Sequence, residues 1–157
     1  MKPGARGYPL EALRRVRQEG ADRATVHVAV RIGEWSAAEE ARVAEERRLT
    51  GLERRIAEQD LPDPVLDIRA LAVAGAHRTR LRAARNAARE ALAAAAGRVD
   101  VARGLLDEAR QAQRSAVVQR EAIEQHRDGW RGGRRKARLA AEDDRIEEVV
   151  AARWGRS

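Results

Sequence analysis

Asp60-Leu61-Pro62-Asp63-Pro64-Val65 decides how this chain is organised. Two prolines two positions apart remove backbone donors and push the residues before them out of the helical region, so no helix crosses the stretch. Helix-forming composition runs long on both sides of it. This predicts helix 1 over about 9–59, a tip over 60–65 and helix 2 over about 66–153. In helix 1, apolar or small residues recur by sevens at Ala21, Val28 and Trp35 and again at Leu49 and Ile56, beside Ala24, Ala38 and Leu52. Arg42 and Glu45 interrupt that seam. Helix 2 carries a longer one, through Leu81, Ala88, Ala95, Ala102, Ala109, Ala116, Ile123, Trp130 and Ala137, with Leu92, Val99 and Leu106 beside it. Beyond Leu106 the companion positions turn polar at Gln113, Arg120 and Arg127, so packing weakens there while the helix need not end.

Two seamed helices joined by a short tip predict an all-α fold, a long antiparallel two-helix coiled-coil hairpin with an overhanging C-terminal helix. Residues 1–7, rich in glycine and basic groups, read as a flexible lead, and 8–157 as a single hairpin. With the turn centred near Pro62 and Asp63, the numbers of facing residues sum to about 125. Trp35 then falls on the alanine-rich stretch 87–96, where small side chains leave room for an indole. The same rule leaves helix 2 overhanging by about 35 to 40 residues, about 55 Å at 1.5 Å per residue. One stretch resists the pattern: Val26, Val28, Val30 and Ile32 alternate with other residues as in a half-buried strand. No second strand pattern exists to pair with it, which favours helix.

Composition supports long helices over a globule. Of 157 residues 36% are charged and 3% aromatic, phenylalanine is absent and alanine dominates the apolar fraction. The net charge of +7 attracts acidic partners without choosing their class. Without cysteine there are no disulfides and no thiolate chemistry. The start lacks the apolar run of a signal peptide, and no stretch matches the roughly 20 apolar residues of a membrane span, so a soluble, cytoplasmic protein without membrane insertion is expected.

The residues point away from catalysis. His27, His77 and His126 lie about fifty residues apart and form no metal-ligand spacing. Gly132-Gly133-Arg134-Arg135 lacks the spacing and the preceding strand of a phosphate loop, and the carboxylates alternate with arginines in the manner of a solvated helix face. No enzyme activity, cofactor, metal or small-molecule substrate is expected. The distinctive chemistry is in the overhang. Arg127, Arg131, Arg134, Arg135, Lys136 and Arg138 surround Trp130 with Asp128 as the one acid among them, and Gly129, Gly132 and Gly133 predict a kink or fraying. An acidic cluster, Glu142, Asp143, Asp144, Glu147 and Glu148, follows, and Ile146, Val149, Val150 and Trp154 form an apolar stripe. The basic run admits three readings: a solvated helix face, a grip on an acidic protein surface, or contact with a phosphate backbone. Nucleic acid is the least favoured, because no recognition helix or set of exposed aromatics accompanies it.

Three features together resemble the central-stalk proteins of bacterial type III secretion and flagellar export, the YscO/FliJ family. They are the opening Tyr8-Pro9-Leu10-Glu11-Ala12-Leu13-Arg14-Arg15-Val16-Arg17, the two helices with a Pro-containing tip, and Glu124-Gln125-His126-Arg127-Asp128-Gly129-Trp130-Arg131 followed by arginines and acids. The resemblance implies a stalk comparable to the gamma subunit of rotary ATPases, peripheral to the inner-membrane secretion apparatus. It would be seated in a hexameric secretion ATPase and bridge it to the cytoplasmic ring of the export gate. Export chaperones are a further partner class of that family. On this basis Tyr8, Leu10, Leu13, Arg127, Trp130, Arg131, Arg134, Arg135 and Trp154 are expected to meet the ATPase, and Leu66, Ile68 and Leu71 the export gate. The alternatives are a basic coiled-coil nucleic-acid binder and a structural or scaffold coiled coil, the latter marked by a seam outside the intramolecular one.

Overall fold

The computed structural model of the chain describes residues 7–59 and 67–155. The expected tip at 60–65, Leu66 and most of the expected lead lie outside the described residues. The fold is all-helical, with α1 spanning Glu11–Gln59 and α2 spanning Ile68–Trp154, and no strand occurs among the described residues. Pro9 sits just before α1, where the Glu11 N–H donates to the Tyr8 carbonyl at 3.1 Å and the Arg14 N–H to the Leu10 carbonyl at 2.9 Å. At the start of α2 the Asp67 carbonyl accepts from the Leu71 N–H at 2.9 Å, with an N-cap residue type in the N-cap position. The Val26–Ile32 alternation is helical: Val28 is buried, and Val26, Val30 and Ile32 are exposed. α2 also runs without interruption through Gly129, Gly132 and Gly133, none at positive φ, so the sequence's glycine cluster does not end the helix.

The chain divides into two compact units, 1–25 with 111–157 and 26–110. In the first, the start of α1 runs antiparallel to α2. Arg14 donates to Glu124 at 3.0 Å, Gln113 donates to the Thr25 hydroxyl at 3.1 Å, and Arg17 donates to Gln119. The numbers of the first two pairs each sum to 138. Ala21 and Ile123 are the buried seam residues here, and Ala116 and Trp130 are half-buried.

The second unit is also an antiparallel pair. Val28, Leu106 and Ala109 form its buried cluster, Leu81, Ala88 and Ala95 are buried along α2, and Arg89 donates to Glu53 at 2.9 Å. The half-buried Leu92, Val99 and Ala102 of α2 and Leu49, Leu52 and Ile56 of α1 complete the seam as spaced in the sequence.

The register differs from the symmetric-tip expectation. In each unit the facing numbers sum to about 138 rather than 125. Trp35 is therefore level with about residue 103 and not with the alanine-rich stretch 87–96, and it remains 36% exposed. The alanines are level instead with the charged interruption of the α1 seam, Arg42 near Ala96 and Glu45 near Ala93. The physical reason is room. Arg42, bonded along its own helix to Glu39 at 2.7 Å and Glu46 at 3.1 Å, is half-buried, and small side chains level with it leave space for its long stem while the guanidinium stays partly solvated.

The C-terminal overhang shortens with the new register. Tyr8 contacts residues 123–130, so α2 continues for about 24 residues beyond Trp130, about 36 Å at 1.5 Å per residue, rather than the 35 to 40 expected. In the second unit, Gln59 is level with about residue 79, so the first turns of α2 have no described residue of α1 opposite them.

Candidate functional site

Tyr8 is built into the first unit, while Pro9 and Leu10 beside it are exposed. Tyr8 is 8% exposed. Its hydroxyl lies 2.7 Å from Nδ1 of His126, a hydrogen bond whose donor is set by the ring tautomer; when the imidazole donates, the phenol proton is left to the Ile123 carbonyl at 3.5 Å. The ring meets Trp130 edge to face, with centroids 5.6 Å apart and planes at 63°, a favourable aromatic geometry. Burial pushes the Tyr8 phenol above its ordinary value. The positive charge of Arg127 works against that, and the nearby Glu124 and Glu11 carboxylates add to it.

A charged girdle closes around this aromatic contact. Arg14 reaches Glu11 at 2.7 Å and Glu124 at 3.0 Å, and Arg127 reaches Glu124 at 2.8 Å and Asp128 at 3.9 Å. The hydrogen bonds that Arg14 donates hold the Glu11 carboxyl below the usual carboxylate range, and Glu11 and Glu124, by accepting them, raise Arg14. His126, which in the sequence has no metal-ligand spacing and figures only within the tryptophan-basic stretch, is the partner of the chain's one tyrosine. A buried phenol's need for a polar partner was the available signal.

Past Trp130 the helix loses its cover. Gly132 and Arg134 are half-buried, and every described residue from 135 onward is exposed. The Arg134 guanidinium sits 5.1 Å from the Trp130 ring centroid, a cation–π contact, and Trp130, Arg131, Arg134, Arg135 and Arg138 line an open groove of about 300 Å³. Leu139, missed in the sequence, stands seven residues before Ile146 on the side of α2 away from Trp130 and extends the apolar stripe of Ile146, Val149 and Val150. Trp154, at 79% exposed, ends it.

All nine residues expected to meet the ATPase lie in one unit, in two different states, with Arg134 half-buried on the Trp130 ring. Tyr8, Arg127 and Trp130 are engaged with the hairpin itself, whereas Leu10, Leu13, Arg131, Arg135 and Trp154 are exposed. Of the residues expected at the export gate, Leu66 lies outside the described residues. Ile68, 82% exposed, and Leu71 lie in the other unit on the uncovered first turns of α2, joined by the exposed Val73. Among the described residues no group of side chains has the makings of a metal site, and no helix is long and apolar enough to cross a membrane. Compared with protein-family models, curated proteins and solved structures, the chain matches none.

Proposed function

We propose that the chain is the central stalk of a bacterial type III secretion apparatus, seated through the uncovered end of α2 in a hexameric secretion ATPase and reaching the cytoplasmic ring of the export gate through the start of α2. It acts as a non-enzymatic protein of the cytoplasmic face of the inner membrane, and export chaperones are a further partner class. One observation carries this reading: among the described residues no helix lies against the α2 segment beyond Trp130, which displays, in order, a block of cations, a block of acids and an apolar stripe. Holding so many like charges on adjacent turns is unfavourable for a lone helix, and a partner of opposite sign relieves it. The clamp of Tyr8 on His126 and Trp130 supports the role by fixing the root of that segment to α1.

The test is stimulation of the cognate ATPase by the full chain. Arg131, Arg134 and Arg135 changed to Glu should abolish it, while Arg47, Arg54 and Arg55 changed to Glu, exposed positions on α1, should leave most of it. Equal effects of the two sets would reduce the cationic block to a solvated face.

A second reading, a structural coiled coil that packs on further helices, draws on a largely apolar groove of about 320 Å³ along the edge of the intramolecular seam, lined by Ala94, Gly97, Val101, Ala102 and Leu105 with Glu34 and Arg98. Sedimentation of the free chain separates the two, since a monomer at micromolar concentration argues against the scaffold.

A further inference from the structure

Arg131, Arg134, Arg135 and Arg138 recur at i, i+3, i+4 and i+7, so their stems leave α2 within one narrow sector. With Trp130 they line a single open groove. Arg134 is held against the indole, which fixes one side of that groove. Among the described residues, no ion pair engages Arg131, Arg135 or Arg138. Carboxylates stand at both ends of the sector. Glu124 and Asp128 precede it, already committed to Arg127, and Glu142 follows on the same face about one turn beyond Arg138, with Asp143 and Asp144 on its flanks.

That arrangement selects by length. A long polyanion laid along the helix passes from cations onto acids, and repulsion there cancels part of what the arginines contribute. An anion no longer than the span from Arg131 to Arg138, about 10 Å at 1.5 Å per residue, meets cations alone. We propose that this groove is a binding site for a short polyphosphate of the triphosphate class, held by the guanidinium forks of Arg131, Arg135 and Arg138 beside the fixed Arg134. Guanidinium groups match phosphate oxygens in paired hydrogen bonds, which favours phosphate over a single diffuse charge. Because the indole is engaged by Tyr8 and Arg134, the phosphates are the recognised group, and inorganic tripolyphosphate binds like the triphosphate end of a nucleotide. The inference stands without the secretion role. If both hold, the anion and an acidic protein partner compete for the same arginines.

Calorimetric titration of the full chain with sodium tripolyphosphate, ATP, orthophosphate and a single-stranded DNA of about 30 nucleotides tests it. Tripolyphosphate and ATP are expected to saturate one site with affinities within about threefold, with orthophosphate and DNA weaker, all falling as salt rises. Arg131→Glu, Arg135→Glu and Arg138→Glu together should weaken tripolyphosphate at least about tenfold, and the same positions changed to Gln should do likewise while keeping the helix, as circular dichroism would show. Arg82, Arg98 and Arg103 changed to Glu should cost less than about threefold. The proposal is overturned if tripolyphosphate shows no saturable binding, if only ATP binds, if both sets of variants lose affinity equally, or if the DNA binds more tightly than tripolyphosphate.

Discussion

Leu105 and Leu106 are adjacent, chemically identical, and on opposite sides of the seam assignment. Leu106 is 4% exposed and packs with Val28 and Ala109, whereas Leu105 is 36% exposed and lines the groove along the seam's edge. Truncating a buried leucine to alanine removes its transfer free energy and leaves a cavity, at about 2 to 5 kcal/mol. The packing around Leu106 is a two-helix seam rather than a closed core, so the low end, about 2 kcal/mol, is expected for Leu106→Ala. Leu105→Ala leaves a space that water fills, and about 0.5 to 1 kcal/mol is expected from lost area alone. Both changes install the same better helix former, so the propensity gain cancels in the comparison. The assay is urea unfolding followed by Trp35 emission in a background of Trp130→Phe and Trp154→Phe, so that the fluorophore reports only the unit containing both leucines. With a urea slope near 2 kcal/mol/M, the midpoint should fall by about 1 M for Leu106→Ala and by less than about 0.5 M for Leu105→Ala. An equal or reversed order would refute the seam and with it the register of this unit.

Spin labels at Thr25 and Gln113, whose side chains touch, should lie within about 20 Å, and a separation above about 30 Å would rule out the register of the first unit. Gly132 and Gly133 have no neighbour within 4 Å of a built Cβ, so changing both to Ala should stabilise the uncovered helix by roughly 1 kcal/mol each, read as higher helicity and slower amide exchange over 131–140; lower helicity would contradict this. Tyr8 is the single tyrosine, so an ultraviolet titration of phenolate should place its midpoint above the ordinary value of about 10. Because the folded state favours the protonated phenol, its contribution to stability is present below that ordinary value and is lost as pH rises through the folded one; a midpoint at or below the ordinary value would mean Tyr8 is not buried on Trp130. Glu11 has the opposite sign: its lowered value contributes stability above the usual carboxylate range that is lost as pH falls, and Arg14→Gln should remove that dependence from the acid limb of unfolding, an unchanged limb counting against the Glu11–Arg14 bond.

The sequence alone determined the two helices, the break between them and the faces they bury. Prolines, helix propensity and seven-residue spacing are local properties, and Ala21, Val28, Ala88, Ala95, Leu106 and Ile123 are all buried where that spacing put them. It also showed the arginines around Trp130 and the apolar stripe ending at Trp154, because both are contiguous in the chain. It did not determine the register. Sliding one alanine-rich seam along another in steps of seven restores nearly the same contacts, and the difference between facing sums of about 125 and 138 is close to two such steps. Periodicity cannot separate alternatives that repeat with its own period. The irregular residues distinguish them: Arg42 and Glu45 stand level with the small alanine side chains, and the Tyr8 hydroxyl finds its polar partner in His126 on α2. Only the tertiary structure brings those pairs together, and it thereby sets where α1 ends against α2 and how much of the arginine-bearing helix is left uncovered.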